Sequence, residues 1–147
     1  MKLNLGCGPN KFESFINIDQ SPTFSPDMQF DLEQPWPIDS NSVDFIYASH
    51  ILEHIRNLIH VMRECHRTLK PQAKLEIYVP HYRHPIAYGD PSHVRFFSEE
   101  SFFPFSIHSD RYQHLGIDFS FQLELNETMP DVHTGLPRQI HAILRKP

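Results

Sequence analysis

Cysteine, glycine and clustered basic residues are scarce in this 147-residue chain. It has two cysteines, Cys7 and Cys65, which we interpret as reduced thiols. The formal net charge is −5 and no run of lysine and arginine stands out, so we expect no nucleic-acid partner. No apolar run approaches the roughly 18 residues of a membrane span, and the first residues lack the apolar segment of a signal peptide. We therefore expect a cytoplasmic protein without a membrane partner.

The composition is typical of one globular domain. Hydrophobic residues make up 39% of the chain and charged residues 21%, which favours neither disorder nor a fibrous repeat. Thirteen prolines against five glycines predict long connections that are not helical. We find no repeat or linker, so residues 1–147 are interpreted as a single domain.

The apolar pattern predicts an α/β order. Apolar residues from Ile51 to Leu69 follow the spacing of one amphipathic helix that ends before Pro71, and Ser98 is predicted to cap a short helix. A strand on each side of the long helix implies a right-handed parallel crossover. Two late strands are expected to form an antiparallel pair at the sheet edge. The predicted strands cover residues 2–5, 15–18, 28–30, 42–48, 74–79, 119–125 and 139–144.

Several motifs resemble class I S-adenosylmethionine-dependent methyltransferases. They occur in order: Leu3-Asn4-Leu5-Gly6-Cys7-Gly8, Asp19 after the second strand, Asp31-Leu32 after the third, and Val43-Asp44-Phe45-Ile46-Tyr47-Ala48 followed by Leu52-Glu53-His54. The resemblance implies a Rossmann-like methyltransferase sheet, mostly parallel with an antiparallel final strand. It also implies transfer of a methyl group from S-adenosylmethionine (SAM) to an unidentified small-molecule acceptor by direct displacement.

The same resemblance assigns the cofactor site. Gly6 and Gly8 let the backbone approach the amino-acid portion of SAM, because glycine has no Cβ and tolerates positive φ. Asp19 is expected to bind the ribose hydroxyls and Asp31 the adenine amino group. The expected cofactor-binding residues are Leu5, Gly6, Cys7, Gly8, Asp19, Gln20, Asp31, Leu32, Ala48, Ser49 and His50.

The acceptor is expected to bind under a loop, residues 81–105, that is rich in histidine and aromatic residues. Its expected pocket consists of His81, Tyr82, His84, Tyr88, Asp90 and His93. The candidates for a base that takes a proton from the acceptor are His50, His54 and His93.

The connections between the early strands are too short or too rich in proline for full crossover helices. About eight residues separate Gly8 from the second strand, and Pro22 and Pro26 interrupt the next connection. Some covering helices are therefore expected to be shortened or missing. A parallel sheet needs cover on both faces, so we expect an apolar face buried by the aromatic loop or by a second subunit in a homodimer.

Two other functions compete with methyl transfer. The order His50-Ile51-Leu52-Glu53-His54 matches the H-x-x-E-H pattern of zinc peptidases, which places two imidazoles one helical turn apart. Alternatively, a reduced fold that lacks a complete acceptor pocket suggests a SAM-binding regulatory or partner protein. A further alternative is a metal bound by His81, His84, Asp90 or His93, since imidazole and carboxylate suit zinc, iron or manganese, although the main assignment includes no metal.

Overall fold

The chain forms one seven-stranded sheet, seen in a computed structural model that describes residues 1–106 and 110–147. The strands are β1 (Lys2–Leu5), β2 (Ile16–Asp19), β3 (Met28–Gln29), β4 (Val43–Ser49), β5 (Leu69–Pro80), β6 (Gln122–Pro130) and β7 (Pro137–Arg145). Their order is β3-β2-β1-β4-β5-β7-β6. The first five pair in parallel, and β7 is antiparallel to both β5 and β6. The predicted Rossmann-like sheet with an antiparallel end is therefore confirmed.

Helices are few and short. The α-helices are α1 (Leu58–Thr68) and α2 (Ile86–Gly89), and 3₁₀ helices cover Pro22–Phe24, Leu52–His54, Glu99–Phe105 and Asp110–Leu115. The crossover helix α1 joins β4 to β5, and the Asn57 side chain caps it by accepting a hydrogen bond from the His60 amide at 3.2 Å. None of the helices in the described residues has the length and apolar character needed to span a membrane.

The predicted helix from Ile51 to Leu69 is wrong in its first part. Leu52–His54 is a 3₁₀ helix, and Ile55 is extended with φ −84° and ψ 124° before α1 begins at Leu58. The apolar spacing misled the prediction because Leu52 and Ile55 are buried without being part of α1. The late strands are also shifted. The prediction placed them at residues 119–125 and 139–144, but polar residues at 126–128 continue the outer strand, β6.

Helices are missing between the first strands, as expected. Residues 6–15 join β1 to β2 without a helix, and only the 3₁₀ helix Pro22–Phe24 lies between β2 and β3. One face of the sheet is fully covered by α1 and the later segments, and its side chains form the core. The core residues of this face that are completely buried include Leu3, Ile18, Ile46, Ile77, Val79, Ile140 and Leu144.

The opposite face is only in part the apolar surface that we expected, because Phe15 packs edge-on against Phe45 whereas β5 and β7 carry polar groups. Tyr78 stacks on His141 with ring centroids 4.3 Å apart, and Glu76 Oε1 lies 2.8 Å from His141 Nε2 and accepts a 3.0 Å hydrogen bond from the Tyr78 hydroxyl. Burial and the neighbouring Glu76 raise the pKa of Tyr78 to about 12. Phe12 covers part of this face by packing edge-on against Tyr47. Aromatic and ionic groups thus satisfy each other where a crossover helix would normally lie.

Two buried amides replace the first crossover helix. The side chains of Asn4 and Asn17 are 3% and 4% exposed, and Asn4 Nδ2 donates to Asn17 Oδ1 at 3.0 Å. Asn17 Oδ1 also accepts from the Phe12 amide at 2.9 Å, while its Nδ2 lies 3.1 Å from the Phe12 carbonyl and 2.7 Å from Asp27 Oδ2. Asn4 Nδ2 further donates to the Asn10 carbonyl at 2.9 Å. The loop is therefore fastened to the sheet by side chains.

Replacing Asn17 by alanine should destabilise the protein by about 2–3 kcal/mol, because several buried groups of the loop lose their partner at once. Urea unfolding measures this loss. Asn10→Ala is the matched control, since only the backbone of Asn10 takes part, and its effect should stay within about 0.5 kcal/mol. Equal losses for the two variants would contradict the assigned network.

Asp27 should make the stability of this loop depend on pH. Hydrogen bonds from the Asn17 backbone and side chain lower the pKa of Asp27. The ionised carboxylate thus contributes stability that is fully present above about pH 4 and lost as the pH falls through its lower, folded-state value. Wild type should be more stable than Asp27→Asn near neutral pH, and the difference should shrink in acid. A difference that is constant with pH in urea titrations would refute this role.

Candidate functional site

A cleft lies at the carboxyl ends of the parallel strands, where a glycine turn leaves β1. Gly6 and Gly8 have φ of +59° and +48°, a region that favours glycine. A Cβ on Gly6 would lie 2.5 Å from Cγ1 of Ile51, whereas one on Gly8 would meet nothing within 4 Å. Gly6 is thus required by packing, while Gly8 leaves its space open for a ligand.

Two carboxylates stand beside this turn. Asp19 at the end of β2 accepts hydrogen bonds from the Gly8 amide at 2.9 Å and the Ser21 amide at 2.8 Å, one on each oxygen. Asp31 accepts from the Glu33 amide through Oδ1 at 2.9 Å, and within the described chain Oδ2 has no hydrogen-bond partner. Asp19 therefore shapes the turn, and Asp31 keeps one oxygen for a ligand.

The cleft has a volume of about 250 Å³. The residues that line it are Gly6, Asp19, Gln20, Phe30, Asp31, Leu32, Glu33, Ile51, His54, Ile55 and Arg56. Gly6, both carboxylates, Gln20 and Leu32 were expected from the sequence. Phe30 was missed, although its place directly before Asp31 at the end of β3 was a usable signal. Ile51 and Ile55 were missed because we assigned them to the buried face of a helix.

The other predicted cofactor residues are not part of the lining of the cleft. Leu5 and Ala48 are buried within β1 and β4. Cys7 is buried and free, its backbone amide donates to the Ile18 carbonyl at 2.9 Å, and burial raises the pKa of its thiol. Ser49 ends β4, and His50 turns the chain with φ +52°. They support the turn on which the cleft depends.

A second cavity, of about 330 Å³, meets the cleft at His54, which lines both. It brings together all three predicted base candidates and Asp90 from the predicted acceptor pocket. Its lining residues are His50, Glu53, His54, Pro80, Ile86, Gly89, Asp90 and His93. The cleft and this cavity therefore share the side chain of His54.

Glu53 is a buried carboxylate in the wall of this second cavity. It is 1% exposed, and neither of its oxygens has a hydrogen-bond partner in the described chain. The Nδ1 atom of His50 lies 3.3 Å from Glu53 Oε1 without forming a hydrogen bond, and His93 Nε2 lies 4.0 Å away. The nearby Glu53 carboxylate raises the pKa of His50. The sequence had singled out Glu53 in two motifs, Leu52-Glu53-His54 of the methyltransferase resemblance and the zinc-peptidase pattern, without a role of its own in methyl transfer.

Two imidazoles of the cavity are held through their Nδ1 atoms. His54 Nδ1 lies 2.9 Å from Ser92 Oγ, and the Ser92 hydroxyl donates to Asp90 Oδ1 at 2.5 Å. His93 Nδ1 lies 2.9 Å from the Ala87 carbonyl. Both rings therefore keep Nε2 for a ligand or a proton.

The remaining predicted acceptor residues lie outside this cavity. His81 is buried with Nε2 3.2 Å from Glu99, and His84 Nε2 lies 3.7 Å from Asp131. Tyr82 and Tyr88 line a separate depression of about 370 Å³ together with Phe96, Phe97 and Ser98. The residues of the expected acceptor pocket therefore do not line a single cavity.

The geometry of the zinc-peptidase alternative is not formed. That motif needs His50 and His54 one turn apart on an α-helix, but only a 3₁₀ helix spans Leu52–His54 and His50 has a left-handed backbone.

A larger depression, of about 630 Å³ beside His66 and Lys146, lies at the opposite edge of the sheet. Ligands of open α/β sheets bind at the carboxyl ends of the strands, which favours the cleft beside Gly6 and Gly8.

Comparisons with known proteins bear on the family and on the fold. A family model described as a methyltransferase domain matches residues 3–103, which include the glycine turn, both carboxylates and Glu53. A search of curated proteins found no significant sequence match.

Solved structures share the fold at low sequence identity. A SAM-dependent methyltransferase from Archaeoglobus fulgidus is 15% identical with a TM-score of 0.70, and the alignment covers 99% of this chain and 85% of that one. One from Mesorhizobium loti is 14% identical with a TM-score of 0.67, covering 98% and 89%. A chain from the complex of the Haloferax volcanii Trm112 methyltransferase activator and a methyltransferase is 13% identical with a TM-score of 0.70, covering 99% and 82%.

Replacing Gly8 by alanine should weaken binding of SAM, because the new Cβ would occupy space that is now open above the turn. Gly135→Ala is the matched control, since Gly135 also has a positive φ, +71°, with open space but lies in the β6–β7 turn. Each variant should lose about 1–2 kcal/mol of stability from backbone strain alone. Calorimetric titration should show weaker SAM binding for Gly8→Ala only. Unchanged binding by Gly8→Ala would argue against a ligand at this turn.

Proposed function

This chain belongs to the methyltransferase domain family, and we propose that it transfers a methyl group from SAM to a small-molecule acceptor by direct displacement. The observation that carries the proposal is the meeting of two cavities at His54. One has the glycine turn and carboxylates that suit a nucleoside with an amino-acid tail. The other is lined by imidazoles that suit an acceptor with an exchangeable proton.

The residues of the cleft fit SAM, which supplies an electrophilic methyl group on a positively charged sulfur when it is bound. The open space above Gly8 leaves room for the amino-acid portion beside the backbone. Asp31 Oδ2 is ready to accept from the adenine amino group, and each oxygen of Asp19 has a second lone pair for a ribose hydroxyl. Phe30 and Ile55 supply apolar contact for the ring.

The second cavity binds and orients the acceptor. Direct displacement needs mainly the correct alignment of two bound molecules, which the protein supplies by positioning. His50 is our choice for the base, because Glu53 makes its imidazole more basic and its side chain is partly exposed to the cavity. His54 stands between the two ligands and is fixed through Ser92 and Asp90. The proton that leaves the acceptor is therefore taken up within this second cavity.

A second candidate function is a SAM-binding partner or regulatory protein without transferase activity. One structural neighbour comes from a complex with an activator protein, which favours an assembly. We propose a homodimer as the form of that assembly. Light scattering in solution measures the molar mass and so distinguishes a dimer from a monomer. The two free thiols suit a cytoplasmic protein.

The test of the proposed function separates binding from transfer. Asp31→Ala should weaken SAM binding about ten- to a hundredfold, because it removes a charged hydrogen-bond acceptor. Asp39→Ala removes an exposed carboxylate from the opposite edge of the sheet, before β4, and should leave affinity unchanged. Calorimetric titration with SAM and S-adenosylhomocysteine measures both.

Transfer is then followed with tritium-labelled SAM and fractionated cell extract. Label in a low-molecular-weight product supports a small-molecule acceptor. Binding without any transfer would favour the partner protein, and failure of wild type to bind SAM would refute both functions.

A further inference from the structure

We propose that Glu53, His54 and His93 bind a divalent transition-metal ion, which holds an acceptor with two neighbouring oxygen atoms beside the cofactor cleft. The part concerning the acceptor rests on the proposed function, whereas the metal site does not. Within the described residues, these three side chains form a group whose potential ligand atoms all lie within 4.8 Å of one another.

The strongest support for a metal ion is the burial of the Glu53 carboxylate without a hydrogen bond. A carboxylate that is 1% exposed and has no hydrogen bond on either oxygen is unfavourable, because burial removes its hydration without replacing it. The nearest ionisable groups are His50 at 3.3 Å and His93 at 4.0 Å, both measured to Oε1. His54 and Asp90 complete the titratable groups that line the same cavity. A bound cation would compensate the buried charge.

The two histidines are oriented as metal ligands usually are. A carbonyl only accepts hydrogen bonds, so His93 Nδ1 must donate to Ala87, and its Nε2 then carries a lone pair. The single hydroxyl proton of Ser92 goes to Asp90, so Ser92 accepts from His54 Nδ1 and His54 Nε2 is also left with a lone pair. Outer hydrogen bonds of this kind fix the tautomer and direction of metal-binding imidazoles.

The spacing suits an ion after a small adjustment. Two ligands that each lie about 2.1 Å from an ion are at most about 4.2 Å apart, so these atoms need to approach by less than an ångström. The histidines of the neighbouring loop are engaged elsewhere, since His81 contacts Glu99 and His84 contacts Asp131. The three proposed metal ligands therefore come from the 3₁₀ helix Leu52–His54 and from His93 of the loop.

The ligand types indicate the ion and the class of acceptor. Two imidazoles and one carboxylate suit zinc, iron, manganese or cobalt, and they leave coordination positions open. An acceptor with adjacent oxygens, such as a hydroxy acid or a diol, fits these positions. Its hydroxyl oxygen forms the bond to the methyl carbon as the carbon–sulfur bond breaks. The bonding pair stays on sulfur, and the hydroxyl proton passes to His50.

The test is metal binding by the purified, tag-free chain after chelator treatment. Wild type should bind one equivalent of Zn²⁺ in calorimetric titration, and Co²⁺ should give visible absorption bands. Glu53→Gln and His93→Gln should each lower Zn²⁺ affinity at least tenfold and remove the bands. His141→Gln is the matched control, because His141 also contacts two carboxylates, Glu76 and Glu127, but lies outside the site.

Each outcome decides the proposal. No binding by wild type, or equal binding by Glu53→Gln and wild type, would overturn it. Glu53→Gln keeps the shape of the side chain and removes a buried charge that has no hydrogen bond, so it should fold at least as well as wild type without metal. If it does not fold, the Co²⁺ bands of wild type and their loss in His93→Gln decide instead.

Binding of S-adenosylhomocysteine is measured separately in the presence of a chelator. If it binds but Zn²⁺ does not, the metal site is refuted and the proposed function stands. If Zn²⁺ binds but S-adenosylhomocysteine does not, the proposed function fails and the acceptor role of the metal fails with it.

Discussion

The buried side-chain amide of Asn17 holds in place the loop that stands where a crossover helix would normally connect two parallel strands. Parallel strands need a connection that crosses the sheet, and here residues 6–15 provide it, fastened by the buried amides of Asn17 and Asn4. The glycine turn begins this loop, and Asp19 closes it through the Gly8 amide. The position of the ligand cleft therefore depends on a few hydrogen bonds more than on helix packing.

The two cavities divide the chemistry between them. The cleft beside the glycine turn offers backbone and carboxylate groups, which suit a molecule with hydroxyl and amino groups. The neighbouring cavity brings together the side chains of His50, Glu53, His54 and His93. His54 belongs to both, so anything that moves its imidazole changes both ligands' surroundings. The chain from His54 through Ser92 to Asp90 fixes that imidazole from the loop side.

Sequence patterns located the cleft because its residues follow directly from strand ends. Gly6, Asp19 and Asp31 each come immediately after an apolar run, and parallel strands end at one edge of the sheet. The 3₁₀ helix Leu52–His54 was not predicted, because buried residues in an irregular segment have the same spacing as a helix face. The separation of His81 and His84 from His93 was also invisible, since it depends on which distant carboxylate each imidazole contacts. The polar character of the uncovered face arises from partners such as Glu76 and His141, which are 65 positions apart in the chain.

The most direct measurement is a crystal structure of the chain with S-adenosylhomocysteine. We expect the adenosine to lie between Asp19 and Asp31, with the amino-acid tail over Gly8 and the sulfur facing His54. A molecule bound elsewhere, such as the depression beside His66 and Lys146, would contradict the account. So would a sulfur separated from the cavity that contains Glu53.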